Sequence, residues 1–100
     1  YFVICGDLNS VCHGTQDLDY ITVIKPFLDA GYNSANCSKF GFIPTFYKVG
    51  DNGDRSSLDQ IITSSNIAIR RVWTDKTKYG NSDVGGNIDH LPLCAEIVIY

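Results

Sequence analysis

Three short acidic motifs lie in order along this 100-residue chain: GDLNS at 6–10, SLDQI at 57–61 and IDHLP at 88–92. Each motif sets an aspartate beside apolar residues typical of strands, and in the third a histidine directly follows the aspartate. Aspartate, asparagine and histidine side chains hold divalent cations, orient water and transfer protons at phosphorus. The three motifs therefore indicate phosphoester chemistry, provided that the fold brings them together.

The first motif joins a carboxylate to an amide. If the strand persists through it, Asp7 and Asn9 point to one face and Leu8 to the other. The two polar groups then enter one site side by side, and Gly6 allows close approach of the backbone. The alternative is a strand-to-turn junction, because Asp and Asn are also common turn residues.

The second motif sets Asp59 among apolar residues, where an ionised carboxylate is costly unless it is paired or hydrogen-bonded. His90 is a suitable partner, since a buried carboxylate often fixes the tautomer and basicity of a histidine. The other options are an ion pair of Asp59 with Arg55 or Arg70, and a His90 that only holds the fold. As neighbours on extended chain, Asp89 and His90 face different directions, so each could take a separate role.

Hydrophobic periodicity predicts the elements that must position these motifs. Residues 1–5 predict a buried strand. The spacing over 17–30 predicts a helix with Asp17 at its N-cap, a kink or restart at Pro26 and a stop at Gly31. Further strands are predicted at 43–49, 58–65, 67–74 and 91–100, with polar loops at 50–54 and 75–87.

Composition predicts one folded domain or part of one, because 44% of the residues are hydrophobic and only 19% are charged. No apolar run is long enough to span a bilayer. The net charge of −3 disfavours non-specific binding to a nucleic-acid backbone, and Arg70-Arg71 is the only adjacent basic pair. Because the chain contains no Met and opens directly in an apolar strand, we expect it to be a piece of a longer protein.

The four cysteines have no spacing typical of a zinc site. Cys5 and Cys94 lie in apolar strand patterns, so we expect them to be small buried hydrophobic residues. A disulfide between Cys12 and Cys37 is the alternative if the protein is exported. Residues 36–38 match a glycosylation sequon, a pattern that is common by chance.

The ordered motifs GDLN, LDQI and IDHLP make the chain resemble the endonuclease/exonuclease/phosphatase superfamily, which has the deoxyribonuclease I-like fold. In that family a GDxN motif precedes a hydrophobic-Asp-x-hydrophobic strand, and an SDHxP motif precedes the last strand. Pro44-Thr45-Phe46 also resembles the family's Thr-aromatic element. The resemblance implies an α+β fold, half of a four-layer α/β/β/α sandwich with a mixed sheet and one main helix. Residues 1–100 would form the C-terminal part of that domain.

The resemblance implies a role for each matching residue. Asp7 would orient or deprotonate the attacking water, and Asn9 would help to hold the water and the phosphate. Asp59 would pair with His90, which would contact the phosphoryl oxygen or transfer a proton. Asp89, with Asp7 and Asn9, would bind Mg²⁺ or Mn²⁺. The implied function is metal-dependent hydrolysis of a phosphoester by activated water, as in a phosphodiesterase or phosphatase, and the substrate could be a small molecule, a lipid or a nucleic acid.

Two departures from the family qualify this interpretation. Ile88 stands where the family usually has Ser, and the family's upstream half, with its metal-binding Glu and an Asn, has no counterpart here. We therefore expect the chain alone to be inactive. Half a sandwich would also leave an apolar sheet face uncovered, which the missing N-terminal half or another chain would cover. The alternative function is that of a non-catalytic relative serving as a binding or scaffolding module.

Overall fold

The computed structural model describes residues 1–9, 14–47, 55–75 and 90–100, which form strands and one helical segment. The helical segment consists of a π-helical turn, Tyr20–Ile24, and helix α1, Lys25–Asp29. The strands are β1 (Val3–Asp7), β2 (Asn33–Ser34), β3 (Phe46–Tyr47), β4 (Arg55–Ser56), β5 (Asp59–Thr63), β6 (Ile67–Thr74) and β7 (Leu93–Ile99). The described chain is therefore an α+β domain, mostly strands with one short helix.

The strands form three small sheets. β5 lies at the centre of the first, between β1 and β2, while β3 pairs with β4 and β6 pairs with β7. Every one of these pairs is antiparallel, so the described residues do not contain the mixed sheet that we predicted. In each pair the chain reverses its direction between one strand and the strand with which it pairs, which makes the pair antiparallel. β5 and β6 follow each other closely in sequence, yet they belong to different sheets.

The helical segment changes its geometry next to Pro26, as the sequence predicts. The N–H of Ile21 donates to the carbonyl of Asp17 at 3.1 Å, and that of Lys25 donates to Tyr20, five residues back. A proline ring crowds the carbonyl four residues earlier and lacks an N–H, which a widened turn accommodates. Helix α1 then begins with Pro26 in its first turn. No helix within the described residues is long and apolar enough to span a membrane.

Gly31 ends the helix, as predicted. Its φ of 90° lies in the region that favours glycine. Its N–H donates to Leu28 at 3.0 Å, and the N–H of Tyr32 donates to Phe27 at 3.0 Å. This pair of bonds satisfies the last carbonyls of the helix and turns the chain toward β2.

β1 is exposed along its whole length, so the prediction of a buried strand is wrong. Val3 is 45% exposed and Ile4 41%. On the other long pair, Ile97 and Ile99 of β7 are also exposed. Both strands lie at a sheet edge, and the described residues cover these side chains only in part. An apolar strand is buried only where a second layer covers it, and the sequence of the strand alone does not show whether that layer is present.

The buried cluster next to the helix is centred on Ile24 and Cys37. Tyr20, Val23, Leu28 and Phe42 pack against it. The expectation for the cysteines is therefore wrong: Cys5 is exposed and Cys94 is half-buried, whereas Cys37 from the polar segment is buried. Cys12 lies outside the described residues, as do the predicted loop at 50–54 and residues 76–87.

Candidate active site

Two of the acidic motifs meet across a pair of strands. Asp7 and Asp59 are register partners at the end of the β1–β5 ladder. Directly opposed residues of an antiparallel pair project from the same face. The pairing continues one residue further, where the N–H of Leu8 donates to the carbonyl of Leu58 at 3.1 Å. Strand register therefore places the two carboxylates beside each other.

The third motif reaches the same point along a different path. His90 forms an isolated antiparallel bridge with Phe46, and its ring centroid lies 5.2 Å from that of Phe46. The next residue, Leu91, donates its N–H to the carbonyl of Thr45 at 2.7 Å. The segment at 45–46 thus fixes the imidazole beside the end of β5.

The imidazole of His90 is hydrogen-bonded to the carboxylate of Asp59. Nδ1 of His90 lies 2.8 Å from Oδ2 of Asp59. The Asp59 side chain is 19% exposed and the imidazole 33%. Because an ionised carboxylate only accepts hydrogen bonds, Nδ1 carries the hydrogen, and Nε2 of the neutral ring is then an acceptor. Arg70, which we considered as an alternative partner for Asp59, instead lies 3.9 Å from Glu96.

Asp7 faces the other nitrogen of the ring. Its Oδ2 lies 3.8 Å from Nε2 of His90, which is too far for a direct hydrogen bond. Its Oδ1 accepts the N–H of Asn9 at 2.7 Å. When the imidazole is neutral, Oδ2 of Asp7 and Nε2 of His90 are both acceptors. A hydrogen-bond donor or a cation bound between or beside them would therefore be stabilised by both atoms.

Asn9 does not continue the strand. β1 ends at Asp7, and Asn9 has a φ of 53°. The GDLN motif is therefore the strand-to-turn junction that we considered as the alternative, in which the carboxylate of Asp7 caps the turn. The backbone of Asn9 holds one oxygen of Asp7, and this leaves the other oxygen directed at His90.

Thr45 connects two parts of the site. It is fully buried, and its Oγ1 accepts the N–H of Asp59 at 3.1 Å. Its carbonyl accepts the N–H of Leu91, the neighbour of His90. The sequence offered a signal for this residue, because Thr45 belongs to the Thr-aromatic element that carries part of the family resemblance.

Asn36 supports the site in a way that the sequence did not reveal. It is fully buried, and its Nδ2 donates to the carbonyls of Ile43 at 2.8 Å and Asp59 at 3.2 Å. Its Oδ1 accepts the N–H groups of Cys37 at 2.9 Å and Ile43 at 2.7 Å. The asparagine of the formal sequon is thus a buried crosslink between two loop segments and β5.

The site offers a set of donors for a divalent cation. One ligand atom each from Asp7, Asp59 and His90 lie within 4.8 Å of one another. Two carboxylates and an imidazole suit several divalent metals, and Mg²⁺ prefers the oxygens. An open cleft adjoins them, lined by Asp59 and His90 together with Gly6 and Leu93. Asp89, the predicted metal ligand, lies outside the described residues, as does Ile88.

No family model, curated protein or solved structure matches this chain.

Proposed function

We propose that this chain contributes catalytic residues to a divalent-metal-dependent phosphoesterase related to the endonuclease/exonuclease/phosphatase superfamily. The observation that carries the proposal is one imidazole between two carboxylates. His90 is 2.8 Å from Asp59 on one side and 3.8 Å from Asp7 on the other. A ring that one carboxylate orients and a second one faces is suited to proton transfer at a group bound between them.

The contacts support a distinct role for each residue. When the ring is neutral, the bond to Asp59 keeps the hydrogen of His90 on Nδ1 and leaves Nε2 as an acceptor. The backbone of Asn9 engages one oxygen of Asp7, and the other oxygen faces Nε2. A water beside Oδ2 and Nε2 can donate one hydrogen to each, which aligns its oxygen for attack on phosphorus. As the bond between the water oxygen and phosphorus forms, Asp7 or His90 takes one proton of the water. The ester P–O bond breaks at the same time, and its oxygen leaves with the bonding electron pair and is protonated by solvent.

Asp7 and the predicted ligands Asn9 and Asp89 would hold Mg²⁺ or Mn²⁺. The donor atoms grouped around Asp7 fit such an ion in chemical type, although Mg²⁺ needs about six oxygens and usually keeps several waters. When bound, the ion would neutralise charge on the phosphoryl oxygens and lower the pKa of water. Further ligands would come from water and from residues beyond these three.

We further infer that the remaining half of a four-layer sandwich, or another chain, covers the exposed strands. Val3, Ile4, Ile97 and Ile99 support this inference, because apolar side chains in strands usually pack against a second layer. The substrate would be a phosphoester of the small-molecule, lipid or nucleic-acid class.

The test is the substitution His90→Gln in the full-length protein. Hydrolysis of a phosphodiester and of a phosphomonoester, bis(p-nitrophenyl) phosphate and p-nitrophenyl phosphate, is measured with Mg²⁺ and with Mn²⁺. Loss of positioned proton transfer should lower kcat by about 10²–10⁴. Asp29→Asn, on the exposed side of helix α1, serves as the control and should leave kcat unchanged.

Unchanged turnover in His90→Gln would reject the role of the imidazole. The scaffolding alternative predicts a different pattern, in which the wild-type protein neither hydrolyses these esters nor binds Mg²⁺ in titration calorimetry. Such a result would reject the enzymatic proposal in favour of the scaffolding function.

A further inference from the structure

An irregularity in β6 directs two arginines to one face. In a regular strand, neighbouring side chains point to opposite faces. The register of β6 and β7 shifts between Ile69 and Arg71, and such a bulge can turn adjacent side chains the same way. Both arginines accordingly approach one carboxylate: Nε of Arg70 lies 3.9 Å from Glu96, and Nε of Arg71 lies 3.5 Å from it. The bulge thus places two adjacent cations side by side.

Aromatic rings lie next to these cations. The guanidinium of Arg71 is 4.8 Å from the ring centroid of Trp73, which is 41% exposed. Phe40 lines the same groove as Arg70, Arg71 and Trp73. The ammonium of Lys39 lies 5.0 Å from the ring of Phe40. We call this surface the β6 platform and define it by Lys39, Phe40, Arg70, Arg71 and Trp73.

The β6 platform carries the cationic side chains of Lys39, Arg70 and Arg71, in a chain whose net charge is −3. Among the described side chains, the other lysine is Lys25, which bonds to Asp29 at 2.7 Å. That hydrogen bond and the charge of Asp29 raise the pKa of Lys25. The remaining described lysine and arginine side chains all belong to the platform, and both arginines are about two-thirds exposed.

We propose that the β6 platform binds single-stranded nucleic acid. Proteins that bind single strands combine cations that follow the phosphates with aromatic rings on which bases stack. Trp73, with the guanidinium of Arg71 over its ring and Arg70 in the same groove, offers both features, and none of the three belongs to the site of Asp7, Asp59 and His90. Arginine and aromatic residues are also enriched at protein interfaces, but the three cations Lys39, Arg70 and Arg71 outnumber the carboxylate of Glu96 and favour a polyanion.

Glu96 sets the strength of this binding. Its carboxylate contacts both arginines and competes with a phosphate for them. Binding is therefore weak and sensitive to salt. For single strands, each neutralised phosphate contributes about 0.7 to the slope of log affinity against log salt.

Fluorescence anisotropy tests the platform. The full-length protein is titrated into labelled dT12 and U12 oligonucleotides, in EDTA, between 50 and 200 mM salt. Arg71→Gln should lower the salt slope by about 0.7. Lys25→Gln removes an exposed, paired cation elsewhere and should leave the slope unchanged.

Two further variants separate stacking from charge. Trp73→Leu should weaken binding about five- to a hundredfold, the value of one stacked base, while Trp73→Phe retains a ring and most of the affinity. Glu96→Gln should strengthen binding by freeing both arginines, and Asp29→Asn, its matched control, should not. Thermal melting by circular dichroism establishes that each variant is folded.

Several outcomes would overturn the proposal. These are no binding of either oligonucleotide at 50 mM salt, equal losses in Lys25→Gln and Arg71→Gln, or full binding by folded Trp73→Leu. Capture of a protein by this face without oligonucleotide binding would also overturn it. The result is independent of the proposed hydrolysis, because EDTA removes the metal that hydrolysis requires and the titration measures binding alone.

Discussion

Asp59 and His90 are separated by 31 positions in the sequence, yet Oδ2 of one lies 2.8 Å from Nδ1 of the other. One buried residue, Thr45, explains this proximity. Its hydroxyl accepts the N–H of Asp59, and its carbonyl accepts the N–H of Leu91, the neighbour of His90. Because both bonds end on one residue, the backbones that carry the carboxylate and the imidazole are fixed relative to each other.

The substitution Asp59→Asn tests the contribution of the carboxylate. The variant keeps the shape of the side chain but removes its charge, and an amide that donates to Nδ1 would hold the wrong tautomer of His90. We expect kcat for a phosphodiester to fall by about 10²–10⁴ in the full-length protein. The matched change Asp29→Asn alters an exposed helix residue and should leave kcat as it is. A kcat within twofold of wild type for Asp59→Asn would contradict the assignment.

A second prediction concerns Thr45. Thr45→Val preserves volume but removes the acceptor for the N–H of Asp59, which leaves a donor unsatisfied in a largely buried place. The expected loss in the free energy of unfolding is about 1–3 kcal/mol, measured by urea denaturation. In Thr22→Val, the lost hydroxyl bond to Leu18 is exposed, so the loss should stay below about 0.5 kcal/mol. Equal losses of unfolding free energy in Thr45→Val and Thr22→Val would show that the buried bond to Asp59 contributes no more than an exposed one.

The sequence predicted those elements whose cause is local. The end of the helix at Gly31 and the restart at Pro26 depend on the backbone properties of single residues. β6 was predicted with its observed bounds, 67–74, because β-branched and aromatic residues fill it. The grouping of Asp59 with His90 followed from motif order, since periodicity alone carries no information on which distant strands meet.

The predictions from sequence were wrong or incomplete where the structure depends on residues that are distant in the chain and pack against the segment. The apolar run of β1 predicted burial, yet Val3 and Ile4 are exposed because no described layer covers them. Asn36 was not identified, since a buried asparagine in a segment rich in Gly, Asn and Ser has the composition of an ordinary loop. Its side-chain hydrogen bonds become visible only when distant segments are assembled around it.

Asn36→Asp provides a third prediction. The change keeps an acceptor but removes the two donor bonds to the carbonyls of Ile43 and Asp59. A carboxylate in a fully buried position facing two carbonyl oxygens is unfavourable. We expect a loss of about 3 kcal/mol or more in the free energy of unfolding, again measured in urea.

The comparison for Asn36→Asp is Asn33→Asp. Asn33 is only partly buried, and its side chain donates one bond, to the carbonyl of Ile67 at 2.8 Å. The loss should therefore be smaller, about 1 kcal/mol. A larger effect at Asn33 than at Asn36 would show that the buried crosslink does not hold the loops to β5.

The exposed strands lead to a prediction about self-association. Ile4 of β1 and Ile99 of β7 are 41% and 62% exposed, and both strands have an unpaired edge among the described residues. Unprotected edges with apolar side chains favour pairing with another chain. We expect the 100-residue chain to sediment as dimers or larger species at tens of micromolar.

Ile4→Thr and Ile99→Thr keep β-branched side chains but remove apolar surface, so each should weaken association about tenfold. Leu18→Thr provides the control, because Leu18 is 72% exposed, precedes the helical segment and belongs to neither strand, so the change should not alter sedimentation. A monodisperse wild-type monomer would show that the exposed strands β1 and β7 do not drive self-association.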